Sequence, residues 1–327
     1  MATNVIMRLA AGLFATTLLA ASGARADDTF NVRFSWKLKG EYAAFYLAQQ
    51  SGLFAKQGLT VRLGEGAGAE AALGSMLQGG EDAVIVPGIY ALSAISKGMP
   101  AKIVALIQPV APAGIVSHPD KPINTPQDLE GKSLAATVGD TTMDYLKVLC
   151  SQNKIDCAKI KIVMMNVQAR LPQFMSKQVD GMSTYWNIDI PQLEYTSKQK
   201  FVVLDVGKYG ERVPGLSVVT SNAAIQKNPE RIKKFLRALS EAFDTTSKDP
   251  AAATKALMNS WEGGPPEQVV ATQVSLSNQT FPVIAGKPRG WVEDSVLSSA
   301  LDLLKQSGQI SEAKPLDTYF TNTLLSN

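Results

Sequence analysis

The apolar and polar positions of this chain follow two alternating periodicities. Short alternating or fully apolar runs predict β-strands over 30–35, 60–63, 83–86, 101–107, 133–137, 161–165, 201–206 and 218–221. Apolar positions three or four residues apart predict helices over 42–54, 69–78, 89–96, 142–151 and 171–177, and a mainly helical remainder with one helix over 229–247. Strands that alternate with helices are typical of α/β folds, so we expect mostly parallel sheets.

One unit of this pattern occurs twice, at 75–90 and at 173–188. Each copy predicts a helix end, a turn that contains Asp82 or Asp180, a short apolar strand and a loop that opens another helix. About 100 residues separate the two aspartates, which is too far for stacked repeats of roughly 20 to 50 residues. The copies therefore indicate two similar lobes, and we interpret both aspartates as turn residues bonded to the backbone.

Two breaks in the pattern, at 108–114 and 211–218, divide the chain into blocks. We expect 27–112 and 218–327 to form one lobe and 113–217 to form the other, with the two breaks as paired crossovers of a hinge. The loops of facing lobes would then converge on one cleft. Such a cleft is a favoured place for a small ligand.

The amino terminus predicts export. Arg8 precedes an almost wholly apolar run over 9–21, and Ala24 and Ala26 supply a small-x-small cleavage pattern directly before Asp27. A membrane anchor is the alternative, but the run is shorter than the roughly 20 residues that a bilayer span needs. We therefore expect 1–26 to be a cleaved signal peptide and the mature protein to be periplasmic.

The charge composition argues against a nucleic-acid-binding protein. The 32 basic residues nearly balance the 29 acidic ones. The densest basic cluster, around Arg231, fits a solvated helix face, so no nucleic-acid partner is expected. In an oxidising compartment Cys150 and Cys157 are expected to form a disulfide, with two free thiols as the alternative. A metal site is not expected, because two cysteines and the distant His118 give too few ligands.

Several segments in order carry a resemblance: Ser35-Trp36, 40–48, 51–61, the Asp82 unit, 128–132 and 290–322. Together they resemble the periplasmic binding proteins of the thiamine-pyrimidine-precursor and nitrate, sulfonate and taurine type. The resemblance covers nearly all of the mature chain. It implies a type II, two-lobed fold with a mostly parallel sheet in each lobe and a two-crossover hinge. It also implies delivery of the ligand to an ATP-binding-cassette (ABC) permease in the inner membrane.

Candidate ligand-binding residues come from aromatic side chains, helix starts and one polar loop. Trp36 could stack on a planar ligand. Tyr42 stands where the pyrimidine-binding relatives often have His, and Asp189 is the match for an acidic residue that meets ring nitrogens in those relatives. Exposed N–H groups at helix starts could bind ligand oxygen, although self-capping is the alternative. The full predicted set is Trp36, Tyr42, Gly88, Tyr90, Thr141, Tyr185, Trp186, Asn187 and Asp189.

These residues predict a monomeric solute-binding protein without a cofactor, which captures a small planar, nitrogen-heterocyclic or aromatic solute. The charges leave the ligand open, since Lys37 and Lys39 suit an anion whereas Glu41, Asp140 and Asp189 suit an amine. A sensory protein that presents its ligand to a membrane receptor is a second hypothesis. An enzyme is a third, because fungal relatives make a thiamine pyrimidine with a His and a cysteine-rich motif. Tyr42 replaces that His, and the chain has only two cysteines.

Overall fold

The computed structural model describes residues 29–138, 142–210 and 212–325. The predicted signal peptide and Thr141 therefore lie outside the described residues. The strands are β1 Thr29–Phe34, β2 Thr60–Gly64, β3 Ala83–Pro87, β4 Ala101–Leu106, β5 Ala113–Ser117, β6 Ser133–Ala136, β7 Lys161–Met164, β8 Gly181–Tyr185, β9 Val202–Asp205 and β10 Leu216–Ser221.

The helices are α1 Ala43–Gln50, α2 Leu53–Lys56, α3 Ala69–Leu77, α4 Gly88–Ser96, α5 Thr142–Asn153, α6 Val167–Met175, α7 Asp189–Ser197, α8 Asn222–Lys227, α9 Pro229–Lys248, α10 Pro250–Met258, α11 Glu267–Gln279 and α12 Asp294–Gln306. Short 3-10 turns occupy Gly40–Tyr42, Pro126–Leu129, Cys157–Lys159, Val206–Tyr209 and Leu316–Thr318. Among the described residues, no helix is both long and apolar enough to cross a membrane.

Two five-stranded sheets define two lobes. The first sheet has the order β2-β1-β3-β10-β4 and the second has the order β7-β6-β8-β5-β9. In the first, β10 runs antiparallel to both of its neighbours, while β1 pairs in parallel with β2 and β3. In the second, β5 takes the same antiparallel place. The predicted two-lobed α/β fold with mostly parallel sheets is confirmed, and each sheet contains one antiparallel strand.

The two sheets have equivalent strand orders and strand directions. The repeated aspartates also make equivalent contacts. Asp82 Oδ2 accepts a hydrogen bond from Asn31 N at 2.8 Å, and Asp82 N donates to Asn31 O at 2.9 Å. Asp180 makes the same two bonds with Ser133, both at 2.9 Å. Each carboxylate thus joins the start of one strand to its parallel neighbour. The prediction that both aspartates are turn residues bonded to the backbone agrees with these contacts.

Two crossovers connect the lobes, one over 107–112 and one that includes 212–215, and they bond to each other. Gly215 N donates to Gln108 O at 2.8 Å, and Ala111 N donates to Val213 O at 2.8 Å. The side chain of Gln108 adds a bond from Leu216 N at 2.8 Å. Paired crossovers of this kind can bend together, which is the geometry of a hinge. The chain after β10 returns to the first lobe, where α9 packs on β1 through Phe235 and Phe30, α10 packs on α1, and α11 packs on α10 and on the 3-10 turn Gly40–Tyr42.

Several predicted boundaries were wrong. The helix predicted over 42–54 is broken, because Gly52 adopts the left-handed conformation at φ 74° and separates α1 from α2. Helix α6 begins at Val167, four residues before the prediction, because the Asn166 side chain caps it by accepting from Ala169 N at 2.8 Å. Arg231 does not lie on a freely solvated face, since its guanidinium pairs with Asp82 Oδ1 at 2.8 Å.

A disulfide joins Cys150 and Cys157, as predicted. It connects the last turn of α5 to the 3-10 turn Cys157–Lys159. Cys150 is buried in the apolar core that α5 shares with the second sheet, whereas Cys157 is half-buried at its edge. The bond therefore fixes the loop that leads from α5 into β7.

Candidate ligand-binding site

A cavity of about 230 Å³ lies between the lobes, at the carboxyl ends of β1, β3 and β8. The first lobe contributes 35–39, Ala69 and Pro87, and the second contributes Val167, Arg170, 183–185, Ile188 and Asp189. In α/β sheets the loops at the carboxyl ends of strands are the usual place for ligands. Of the predicted residues, Trp36, Tyr185 and Asp189 line this cavity.

Lys39 is the more buried of the two lysines on the first wall, which is the part of the lining that the first lobe contributes. Its Nζ pairs with Glu41 Oε1 at 2.6 Å and lies 4.9 Å from the centre of the Tyr185 ring on the opposite wall. Burial, the largest single effect, lowers the pKa of Lys39, but the interactions with Glu41, Tyr42 and Tyr185 together outweigh burial and raise that pKa. Lys39 therefore carries its positive charge throughout the physiological range.

Tyr42 lies behind this wall instead of in it. Its ring is fully buried and stacks on Phe34 with 4.0 Å between the ring centres, and the Lys39 Nζ lies 5.2 Å from its ring centre. Burial raises the pKa of Tyr42 to about 12, which keeps the hydroxyl protonated. Tyr42 therefore supports Lys39 from the core, and it is not among the residues that line the cavity.

Trp36 forms part of the first wall directly after β1. The side chain is half-buried, and the backbone around it is fixed by two bonds: Gly66 N donates to Trp36 O at 3.2 Å and Gly68 N donates to Ser35 O at 2.7 Å. A side chain at position 66 would collide with the carbonyl of Phe34, so the approach of these two segments requires glycine there. The tight loop holds the indole at the cavity.

The second wall is the loop between β8 and α7. Asp189 Oδ2 accepts hydrogen bonds from Thr184 Oγ1 at 3.0 Å and from Tyr185 N at 2.8 Å. One carboxylate oxygen is therefore committed to holding its own loop, and this bond fixes the backbone that carries the Tyr185 ring. Asp189 lines the cavity, but part of its hydrogen-bonding capacity is already used.

Arg170 on α6 is a cavity residue that the sequence prediction missed. Its Nη1 lies 3.4 Å from Ser183 Oγ, which also lines the cavity. The available signal was a single cation in the segment just after a predicted strand, at the edge where ligands bind. It was missed because 166–170 was taken as a loop before a shorter helix.

Two other predicted residues of the same loop lie away from the cavity. Trp186 is half-buried beside the hinge, where its backbone N donates to Pro112 O at 3.0 Å. Asn187 is fully buried, and its Nδ2 donates to Ser277 Oγ of α11 at 2.9 Å. The structure therefore places the Asn187 side chain in a contact between the lobes, and neither residue is among those that line the cavity.

The predicted residues Gly88 and Tyr90, at the start of α4, do not line the cavity either. Gly88 N donates to Gly215 O at 2.6 Å, so this N–H group is used by the hinge. Tyr90 lines a different groove, of about 820 Å³, together with Glu70 and Asp144. No group of three or more potential metal ligands occurs among the described residues.

The sequence matches the family model described as "NMT1/THI5 like" over residues 39–253, which is more than half of the chain. A protein of Haemophilus influenzae whose name assigns it to thiamine biosynthesis is 23% identical over 303 residues, covering 90% of this chain and 92% of the relative. Four proteins of Saccharomyces cerevisiae named as 4-amino-5-hydroxymethyl-2-methylpyrimidine phosphate synthases are 25% identical over 251 residues, covering 70% of both chains.

Among solved structures, the periplasmic aliphatic sulphonate binding protein SsuA of Escherichia coli is similar, with a TM-score of 0.70 and 17% sequence identity. The likeness covers 91% of this chain and 99% of that protein. It shows that the two lobes have the periplasmic binding protein fold. Together with the family match, it leads to one conclusion: the chain belongs to the NMT1/THI5-like family.

Proposed function

We propose that this protein is an extracytoplasmic solute-binding protein, which captures a small planar ring compound between its lobes and delivers it to an ABC permease. The ring is aromatic or nitrogen-heterocyclic, and it carries an acidic group. The observation that supports this proposal is the lining of the cavity, where Trp36 and Tyr185 come from opposite lobes and lie among three basic residues.

The aromatic side chains favour a flat ligand. Tyr and Trp rings stack on other rings in offset or edge-to-face arrangements, which adds specificity beyond the burial of apolar surface. A cavity of about 230 Å³ is below the roughly 300 to 1,000 Å³ of typical drug-sized sites, so it suits one ring with few substituents. Closure of the lobes would cover both faces of such a ring.

The charges favour an acidic substituent. Lys37, Lys39 and Arg170 all line the cavity, and Glu41 favours the charged form of Lys39. Asp189 is the acidic lining residue among the described residues, and its Oδ2 already accepts two hydrogen bonds. A carboxylate on the ring would gain charge-assisted hydrogen bonds from the basic groups. An amine on the ring would have fewer hydrogen-bond acceptors available, because one Asp189 oxygen is already used.

The predicted export and the fold support delivery to a permease. Residues 1–26 have the pattern of a signal peptide. The proposed lobes are 27–112 with 218–327 and 113–217, and they would close as a monomer around the two crossovers. The bacterial protein SsuA, whose name describes a periplasmic binding protein, has the same fold.

A panel of paired compounds tests this proposal by thermal shift and calorimetry. Nicotinate and nicotinamide differ in the acidic group on one ring, while benzoate and cyclohexanecarboxylate differ in the flat ring behind one acid. We expect nicotinate and benzoate to bind more tightly than their partners. A ligand at 100 times its Kd should stabilise the protein by about 2.7 kcal/mol. Preference for nicotinamide, for cyclohexanecarboxylate or for an alkanesulfonate would contradict the proposed ligand class.

The names of the yeast relatives favour an enzyme as the second candidate. The position that carries His in those relatives according to the resemblance is Tyr42, which is fully buried behind the cavity. A bound ring compound should therefore be recovered unchanged. Mass spectrometry of the compound after prolonged incubation with the protein decides between the two candidates, because an enzyme would release a modified product.

A further inference from the structure

Gln273 on α11 hydrogen-bonds to both walls of the cavity. Gly40 N donates to Gln273 Oε1 at 3.0 Å, and Gln273 Nε2 donates to Ile188 O at 2.8 Å. Gly40 directly follows Lys39 of the first wall, and Ile188 directly precedes Asp189 of the second wall. The side chain itself is 3% exposed and is not among the residues that line the cavity. One buried amide therefore connects the backbones that carry two facing charged groups.

The neighbouring turn of α11 repeats the connection. Ser277, four residues after Gln273, accepts a hydrogen bond from Asn187 Nδ2 at 2.9 Å. Residues four apart lie on the same face of a helix, so this face contacts two consecutive residues of the second lobe. On the other side, a side chain at Gly40 would collide with Gln273 Cβ. Helix α11 thus sits directly on the backbone of the first wall.

The Gln273 amide can form both hydrogen bonds in only one orientation. Its oxygen must face the Gly40 N–H group, and its NH₂ group must face the Ile188 carbonyl. A charged carboxylate in the same place could still accept from Gly40 N but could not donate to Ile188 O. Because both contacts are buried, a group left without a partner is costly. The amide therefore fixes how the two lobes are positioned relative to each other, in addition to holding them together.

We propose that Gln273 is a positioning residue, which sets the register of the two lobes in the closed conformation and thereby aligns Lys39 with Tyr185 and Asp189. This inference rests on the proposed capture of a ligand between the lobes. Gln273 acts without touching the ligand. It holds the first wall through Gly40 and the second wall through Ile188, and opening of the lobes breaks the bond to Ile188.

The test compares three proteins: wild type, Gln273→Glu and the control Gln268→Glu. Gln268 is exposed on the same helix, so the control makes the same chemical change without the two contacts. Spin labels at cysteines introduced at the exposed Lys56 and Lys161 report the distance between the lobes in the full mature chain without ligand. We expect a short-distance population in the wild type and the control that Gln273→Glu loses. The same distribution in all three proteins would overturn the proposal.

A binding measurement provides the second readout. For the panel compound that the wild type binds best, Gln273→Glu should bind about tenfold more weakly at neutral pH, which corresponds to about 1.4 kcal/mol. Towards acidic pH the carboxyl becomes protonated and can again donate to Ile188 O, so its affinity should approach that of the wild type. A defect that does not depend on pH would show general damage to the fold and would overturn the proposal.

The charged residues on the elements packed against this face of α11 are the same in wild type and variant. They are Lys39, Glu41, Asp189, Glu194 and Lys255. The ratio of the two affinities at each pH therefore isolates position 273. If no panel compound binds the wild type, the proposed ligand class fails, and the spin-label distances still decide the role of Gln273.

Discussion

Lys39 and Tyr185 belong to opposite lobes, and the Lys39 Nζ lies 4.9 Å from the centre of the Tyr185 ring. A cation at this distance over an aromatic face is attracted by about 0.5 to 2 kcal/mol, more when water is excluded. The contact links closure of the lobes to the electrostatics of the cavity, because the cation of one wall meets the ring of the other. The ion pair with Glu41 favours the charged form of Lys39.

Lys39→Met should destabilise the folded protein by about 3 kcal/mol, because it leaves the buried Glu41 carboxylate without its partner. The double variant Lys39→Met/Glu41→Gln should recover most of that loss. Lys37→Met is the matched control, since its pair with Glu65 is 70% and 36% exposed and should contribute less than about 1 kcal/mol. Urea unfolding measures all three, and equal losses for Lys37 and Lys39 would contradict the buried pair.

Gly88→Ala should destabilise the protein by roughly 1 to 3 kcal/mol, because the added methyl group would collide with Pro214 and come within 2.8 Å of Ser217 Oγ at the hinge. Gly74→Ala is the control. Nothing lies within 4 Å of a methyl group at Gly74, inside helix α3, so alanine there should stabilise by up to about 1 kcal/mol. Thermal unfolding should therefore move in opposite directions for the two variants.

The architecture could be predicted from the sequence because its signals are local. The period of the apolar positions predicted most strands and helices, and the two similar units around Asp82 and Asp180 predicted two equivalent lobes. Strand β5 was not predicted, and the antiparallel direction of β10, which was predicted as a strand over 218–221, could not be predicted in this way. Each of them follows a crossover into the other lobe, and its direction depends on pairing with strands far away in the sequence.

The site was less predictable, because its membership depends on which distant segments meet. Trp36, Tyr185 and Asp189 follow the ends of strands, where local reasoning applies, and they line the cavity. Asn187 has the same local features, but it is buried against Ser277, 90 residues further along the chain. Gly88 is likewise bonded to Gly215. Only the three-dimensional packing of α11 and the hinge separates these residues from the lining.

Asp180 should make the folded protein sensitive to acid. Burial, the largest single effect, raises the pKa of Asp180, but the hydrogen bonds from the Ser133 N–H group and hydroxyl, with the charges of Lys132 and Lys121, together outweigh burial and lower it. A lowered pKa contributes stability above the usual value of 3.8, and this contribution is lost as the pH falls through the folded-state value.

Asp180→Asn should therefore lose on the order of 1 kcal/mol of unfolding free energy at pH 7, and the difference from wild type should shrink below about pH 4. Asp302→Asn, an exposed change on α12, should have little effect at either pH. Denaturant unfolding as a function of pH measures both variants. A constant difference down to pH 3 would show that the carboxylate charge of Asp180 is not what matters.

Removal of the Cys150–Cys157 disulfide should cost about 2 kcal/mol, because the closed loop is short and a short loop restricts the unfolded chain less than a long one. The double variant Cys150→Ala/Cys157→Ala measures this loss by urea unfolding. Reductant should destabilise the wild type by a similar amount and leave the double variant unchanged. A reductant effect on the double variant would mean that something other than this bond responds.

Tyr185 and Trp186 are adjacent in sequence, but substitutions at the two positions should have different effects on ligand affinity. Tyr185 lines the cavity and faces the Lys39 cation, so Tyr185→Leu removes a stacking surface and a cation–π contact. We expect about tenfold weaker binding of the preferred ring compound, which corresponds to about 1.4 kcal/mol. Trp186→Leu keeps the backbone bond from residue 186 to Pro112 and changes no lining residue, so its effect on affinity should be less than threefold. Calorimetry on the two variants decides the assignment, and a larger loss for Trp186→Leu would place the ligand beside the hinge instead of in this cavity.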